Sequence, residues 1–317
     1  MGFFSSLFGS SKGEDNIDEQ QKALLRNFDI LKHDGMRALN MRQTAYAVKC
    51  FTEALKIKDD FESLKHLAAA MMMQGDFEKA LNTLNRMLEH EEERIITLIT
   101  RANILHLLNR FREAIADCNA IIAMDPESHA AFYLLAQSEN GVGNREMSIE
   151  HLTQAIALKD DFADAYRLRS EVYLTMEQYE NALADAGQVV ELNAEDETAY
   201  ILRGKIYEQL HNTGAALGDY RYALEMNPFN EDACLFAVKL LMNSANVDEA
   251  IALLNEAIEH NELFARAYQL RSLARGAKGD TAGAQKDLEI YGELVSTDAE
   301  SEYKEEQAAD LYKGNII

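Results

Sequence analysis

An alanine returns every 34 residues along this chain, and that spacing limits what it can fold into more than anything else in it. Ala47, Ala80, Ala114, Ser148, Ala182, Ala216, Ala250 and Ala284 are separated by 33 and then six times by 34, with a single serine among them. Self-similarity at such a period marks a stack of identical supersecondary units and overrides any count of globular domains from the 317-residue length. The unit is clearest in Ala199–Pro228, AYILRGKIYEQLHNTGAALGDYRYALEMNP, which reads as two helices joined by a tight turn. Small Gly204, Ala216 and Ala223 sit where the helices would touch, and Tyr200, Tyr207, Tyr220 and Leu224 fill the space around them. Helix axes ~8–10 Å apart require that alternation of small and large.

With the marker alanine at position 20 of a 34-position unit, hairpins begin near 28, 61, 95, 129, 163, 197, 231 and 265. Position 8 is then small almost throughout, from Gly35 and Ala68 to Gly204 and Ser272, with Val238 the largest. Position 4 is large in all units but one, from Leu31 to Tyr268, with Cys234 the exception. Turn chemistry falls at positions 15–16 as Gly75-Asp76, Gly143-Asn144 and Gly279-Asp280. The first unit is the loosest match, and the eighth ends irregularly at Tyr291-Gly292.

This pattern resembles the tetratricopeptide repeat, and the resemblance covers about 28–298. It implies an all-α, right-handed superhelical solenoid of about eight helical hairpins, with a concave face lined by the first helices. The expected organisation is an N-terminal tail and lead-in helix over 1–27, then hairpins over 28–60, 61–94, 95–128, 129–162, 163–196, 197–230, 231–264 and 265–298. A C-terminal capping helix and tail follow over 299–317, where Thr297-x-x-Glu300 forms a capping box ahead of Tyr303, Ala308, Leu311 and Tyr312. Hairpins of this kind bury their apolar faces by stacking, and the end units need polar caps.

Comparison of the units with one another exposes a coupled pair of charges. Position 7 is arginine in four units, Arg101, Arg169, Arg203 and Arg271; position 23 is aspartate in the same four, Asp117, Asp185, Asp219 and Asp287. The other four units lack both, carrying Asp34/Cys50, Leu67/Thr83, Leu135/His151 and Ala237/Leu253. The two positions lie equally far from a turn centred on position 15, so in an antiparallel hairpin they meet at one height. The expectation is a partly buried structural ion pair, either within a hairpin or between neighbours, that sets register.

Positions 2, 5, 9 and 12 form a second stripe on each first helix, apart from the packing positions 4, 8 and 11. By the family resemblance this stripe faces the concave groove. The partner-binding residues expected on it are Lys65, Ile99, Asn103, Tyr133, Gln137, Arg167, Ile201, Lys205, Leu235 and Lys239. Its six cations, which include Lys32 and Arg266, balance its six acids, whereas the whole chain carries a net charge of −23. Apolar side chains among amides and lysines suit an extended peptide or a partner helix. Chaperone-binding members of the family hold a terminal carboxylate with lysine at position 5 and asparagine at position 9 of one unit. Here Lys32 is followed by Met36, Lys65 by Ala69 and Arg167 by Glu171, so that clamp is absent.

The function expected is therefore a non-enzymatic scaffold that binds a peptide or helix of another protein in its groove, without cofactor or metal. The acidic balance disfavours phosphate backbones and hence nucleic acid. No nucleophile elbow, phosphate loop or HExxH occurs, and the repeats take up nearly all of the given residues. His33 and His66 share position 6 of adjacent units but bring no third ligand. Cys50, Cys118 and Cys234 form no CxxC and fall on inward faces, which fits a reducing compartment. With no apolar run near the ~20 residues a span requires, and no secretory leader in MGFFSSLFGS, the location expected is cytoplasmic. An alternative is an assembly or targeting factor at a membrane surface, engaged through the apolar face of Phe3, Phe4, Leu7 and Phe8.

Overall fold

The computed structural model describes residues 11–296, with side chains from 19 onward. The apolar N-terminal face and the capping segment from Thr297 therefore lie outside the described residues. Every regular element among the described residues is an α-helix. The chain divides into two compact units, Met1–Asp160 and Asp161–Ile317.

The first unit holds four antiparallel hairpins: α1 (Ser11–Asn40) with α2 (Thr44–Ile57), α3 (Phe61–Met73) with α4 (Phe77–Met87), α5 (Arg94–Leu107) with α6 (Phe111–Met124), and α7 (His129–Gly141) with α8 (Arg145–Leu158). The second holds α9 (Ala163–Thr175) with α10 (Tyr179–Leu192), α11 (Glu197–Gln209) with α12 (Thr213–Met226), α13 (Glu231–Asn243) with α14 (Val247–His260), and α15 (Ala265–Ala277) with α16 (281–296). Within each unit a helix packs chiefly on the helices before and after it in sequence, the arrangement of an α-solenoid.

The recurring small residues form the contact seam. The marker side chains from Ala47 to Ala250 are completely buried, as are Ala102, Ala136 and Ser170 at position 8. At the two glycines of position 8 the approach is closer still. A Cβ on Gly35 would stand 2.8 Å from the Phe51 ring, and one on Gly204 would stand 2.6 Å from the Tyr220 ring. Phe51 and Tyr220 share position 24, and no other hairpin carries an aromatic residue there. Glycine and aromatic ring thus exchange volume across the hairpin, as Ala68 and Leu84 do elsewhere.

All eight turns close in the same way. Position 15 lies in the left-handed region at Arg42, Gly75, Asn109, Gly143, Glu177, His211, Ala245 and Gly279, with φ between 56° and 90°. The next residue donates its N–H five residues back, as Arg110 does to Leu105 and Asn246 to Leu241, while position 15 donates three back. This is a Schellman motif, and it satisfies the last carbonyls of each first helix.

Three places depart from a uniform repeat. α1 runs unbroken from Ser11 to Asn40, passing through Gly13 and Gly35 with no proline in its length. α4 stops at Met87, where Glu89, Glu91, Glu92 and Glu93 would oppose the negative end of the helix dipole. At the other end, α16 continues through Tyr291-Gly292 rather than breaking there.

Candidate functional site

The four arginines of position 7 and the aspartates of position 23 meet inside their own hairpins in forked geometry. Arg101 Nε and Nη2 donate to the two Asp117 oxygens at 2.8 and 2.5 Å. The corresponding distances are 2.7 and 2.8 Å for Arg169–Asp185, 2.9 and 2.7 Å for Arg203–Asp219, and 3.0 and 2.7 Å for Arg271–Asp287. All four carboxylates are buried. The hydrogen bonds that Arg203 donates to Asp219 raise its pKa above the ordinary value, against the opposing effect of burial. Position 4 roofs three of the pairs, with the guanidinium of Arg169, Arg203 and Arg271 5.6, 5.4 and 5.2 Å from the ring centres of Tyr166, Tyr200 and Tyr268. Arg101 and Arg271 also reach back to the preceding hairpin, donating from Nη1 to Asn85 and Asn255 at 2.7 and 2.8 Å. These asparagines recur at position 25, a pairing visible in the sequence once the arginines are singled out.

On the second stripe, position 5 cations are already engaged. Lys32 donates to Asp60 at 2.9 Å, Lys65 to both oxygens of Glu93 at 2.9 and 2.8 Å, and Arg167 to Asp196 and to Thr198 Oγ1. Each acceptor is the N-cap residue of the next hairpin's first helix. At Asp60 and Asp196 the cation neutralises a carboxylate that itself caps a helix, accepting from Ser63 N–H and Thr198 N–H at 2.9 Å, whereas the Glu93 side chain makes no such cap. Ile201 is only 8% exposed, packed with Ala233 and Ala237 of α13, so it does not present itself to an open groove as its repeat position suggests. Two small side chains on α13 let that helix close over it.

What remains accessible in the first unit is a strip of Ile96, 58% exposed, half-buried Ile99, Tyr133 and Gln137, and exposed Asn103, whose amide donates to the Ile99 carbonyl at 2.9 Å. In the second unit the stripe converges on a pocket of about 440 Å³ between α9, α11 and α13, lined by Tyr179, Lys205, Glu208, Phe236 and Lys239 among others. Leu235, beside it in sequence, is half-buried against the α13–α14 core. Lys205 Nζ lies 4.6 Å from the Phe236 ring centre. Lys239 Nζ stands 3.6 Å from Glu208, which accepts the hydroxyl proton of buried Tyr220 at 2.5 Å. Burial and the Glu208 carboxylate both push the Tyr220 hydroxyl pKa up. Glu171 keeps contact with solvent, yet crowding raises its carboxyl pKa against the pull of Arg167 and Lys205. Phe236 occupies position 6, which also belongs to this face and which the stripe of positions 2, 5, 9 and 12 omits. Aromatic character at that position was the available signal.

His66 stacks on Phe51, with ring centroids 5.4 Å apart, and lies beside Glu62. Among the described residues no three histidine, cysteine, aspartate or glutamate side chains converge as a metal site, and no helix is long and apolar enough to cross a membrane.

Two family models, each described as a tetratricopeptide repeat, match residues 167–231 and 207–274. A comparison with curated proteins finds no match. Among solved structures, the C-terminal part of a tetratricopeptide-repeat-containing protein from Cytophaga hutchinsonii superposes with a TM-score of 0.61 at 14% identity, covering 75% of this chain and 98% of that one. A tetratricopeptide repeat protein from Parabacteroides merdae gives 0.59 at 14% identity, over 78% and 99% of the two chains. Residues 41 to the end of MamA from Desulfovibrio magneticus give 0.50 at 19% identity, over 53% and 96%. At these identities the likeness is one of fold.

Proposed function

The chain is a tetratricopeptide repeat protein, and from that premise we propose that it acts as a non-enzymatic scaffold which binds a peptide or helical segment of another protein on the faces of its first helices. The observation that carries the reading is the pocket of Lys205, Phe236 and Lys239, where an ammonium group lies over an aromatic ring on an otherwise acidic chain, with Glu177 and Glu208 also lining it and Lys239 facing Glu208. An acidic side chain beside an apolar one fits that chemistry: the Phe236 ring supplies burial, and the Lys205 ammonium supplies orientation. In the first unit Ile96, Ile99, Asn103, Tyr133 and Gln137 offer an apolar and amide strip for the same kind of ligand.

Lys65 and Arg167 serve this reading indirectly, because their charge is committed to Glu93 and Asp196 and each ties its hairpin to the next one in its own unit. The Arg–Asp pairs have the corresponding role inside the hairpin, fixing the height of one helix against the other. The alternative of a membrane-surface targeting factor depends on Phe3, Phe4, Leu7 and Phe8, and no described residue adds to it.

Quantitative affinity capture from the source cells tests the proposal. Wild type should retain a protein partner that Tyr133→Ala/Lys205→Glu loses by about tenfold or more, with the circular dichroism spectrum unchanged. Retention of the same proteins in the same amounts by both would overturn it.

A further inference from the structure

A second pocket of about 440 Å³ opens in the second unit on the face carried by α12 and α14, away from the first-helix stripe. Leu224, Cys234, Leu253 and Ala257 form its floor, and Glu225, Glu249 and Glu256 its rim. Its origin is legible by comparison with the hairpin before it. There, Tyr200 at position 4 packs on Tyr222 at position 26 with ring centroids 4.5 Å apart and planes tilted by 42°. In the α13–α14 hairpin the same two positions hold Cys234 and Glu256, both of which line the pocket. This is also the one hairpin of the second unit without the Arg–Asp pair, its positions 7 and 23 being Ala237 and Leu253. Position 4 holds a leucine or an aromatic ring in every other hairpin, so Cys234 leaves that space open here; position 26 is aromatic in α11–α12 alone, and Glu256 puts a carboxylate at the edge of the cavity instead.

The rim sets the charge of what would enter. Arg221 is paired with Glu249, whereas Glu225 and Glu256 make no ion pair with any described residue. At the mouth, Phe229 is 63% exposed and meets the His260 ring edge-on at 5.8 Å. Burial pushes the Cys234 thiol up to about 12, so the sulfur is a small apolar floor atom rather than a reactive group.

We infer that this pocket is a second docking site, independent of the first-helix stripe, for a segment of a partner protein that presents an aromatic side chain next to a lysine or arginine. The ring takes the place that a large side chain at position 4 fills in the other hairpins and that Cys234 leaves open. The cation sits between Glu225 and Glu256, and the net charge of −23 draws such a segment in from a distance.

Selection of a random dodecapeptide display library on the full chain tests this, followed by fluorescence anisotropy with the enriched peptides. The expected peptides carry Phe, Tyr or Trp beside Lys or Arg. They should bind about tenfold or more weakly to Cys234→Tyr/Glu256→Tyr, which copies the two tyrosines of the preceding hairpin, and to Glu225→Lys/Glu256→Lys. Lys205→Glu/Lys239→Glu should leave their affinity unchanged. Both glutamates are exposed, so the charge-reversal variant remains decisive even if the tyrosine variant fails to fold. Acidic peptides that enrich beside them and depend on Lys205 and Lys239 report the other pocket; failure to enrich peptides with an aromatic residue beside a cation, or binding of these peptides indifferent to the Glu225 and Glu256 variants, would overturn the inference.

Discussion

Arg203 and Asp219 show what a single pair of side chains contributes to a repeat. Asp219 is 7% exposed, and two hydrogen bonds from one guanidinium satisfy its carboxylate while Tyr200 covers the arginine. Removal of either partner strands the other charge away from water, at a cost of up to about 3–5 kcal/mol. Replacement of both by apolar residues removes the desolvation penalty along with the attraction. In a urea-denaturation double-mutant cycle, Arg203→Leu and Asp219→Leu should therefore each destabilise more than half as much as the double variant does, with a coupling energy of at least about 1 kcal/mol. Additive losses would mean that the pair contributes nothing beyond its packing.

At the scale of the element, the turn decides more than the helices it joins. Every hairpin places position 15 in the left-handed region, but only three of the eight put glycine there. For an ordinary residue that conformation costs about 1–2 kcal/mol, partly offset by the greater chain entropy that glycine loses on folding. Ala245, at φ 58°, has no side chain that can hydrogen-bond in compensation. Ala245→Gly should accordingly raise stability by roughly 0.5–1 kcal/mol, seen as a higher urea midpoint with an unchanged slope. A lower midpoint would show that the turn bears no strain. Gly75, Gly143 and Gly279 made three turns readable in advance. The other five were hidden behind Arg42, Asn109, Glu177, His211 and Ala245, because the packed helices impose the geometry whatever residue stands there.

Over the whole molecule, stability should be spread along the chain rather than gathered in one core. Within each unit the helices pack mainly on sequence neighbours, so a local lesion has few routes outward. Asp219→Ala should speed hydrogen exchange in α11, α12 and the adjoining helices while α3–α6 keep their protection. A uniform loss of protection from Phe61 to Lys278 would instead indicate one cooperative block. The same locality lets one hairpin depart from the pattern, as α13–α14 does with Cys234, Ala237 and Leu253, without disturbing its neighbours' turns.

Residue spacing was enough to assign the all-helical hairpin repeat, the seam of small residues and the faces on which positions 7 and 23 lie. A helix turns by a constant angle per residue, so spacing alone assigns a side chain to a face, and eight internal copies average out the noise of any one. The Gly–aromatic exchange of Gly35 with Phe51 and Gly204 with Tyr220 was equally open to that comparison. Which members of the second stripe are free emerged only from the packed helices. Lys65 is committed to Glu93 and Arg167 to Asp196, 28 and 29 residues further along, and Ile201 disappears beneath α13. Helical periodicity sets the direction of a side chain. What meets it there depends on how closely the next hairpin approaches, and that distance is fixed by packing across the stack.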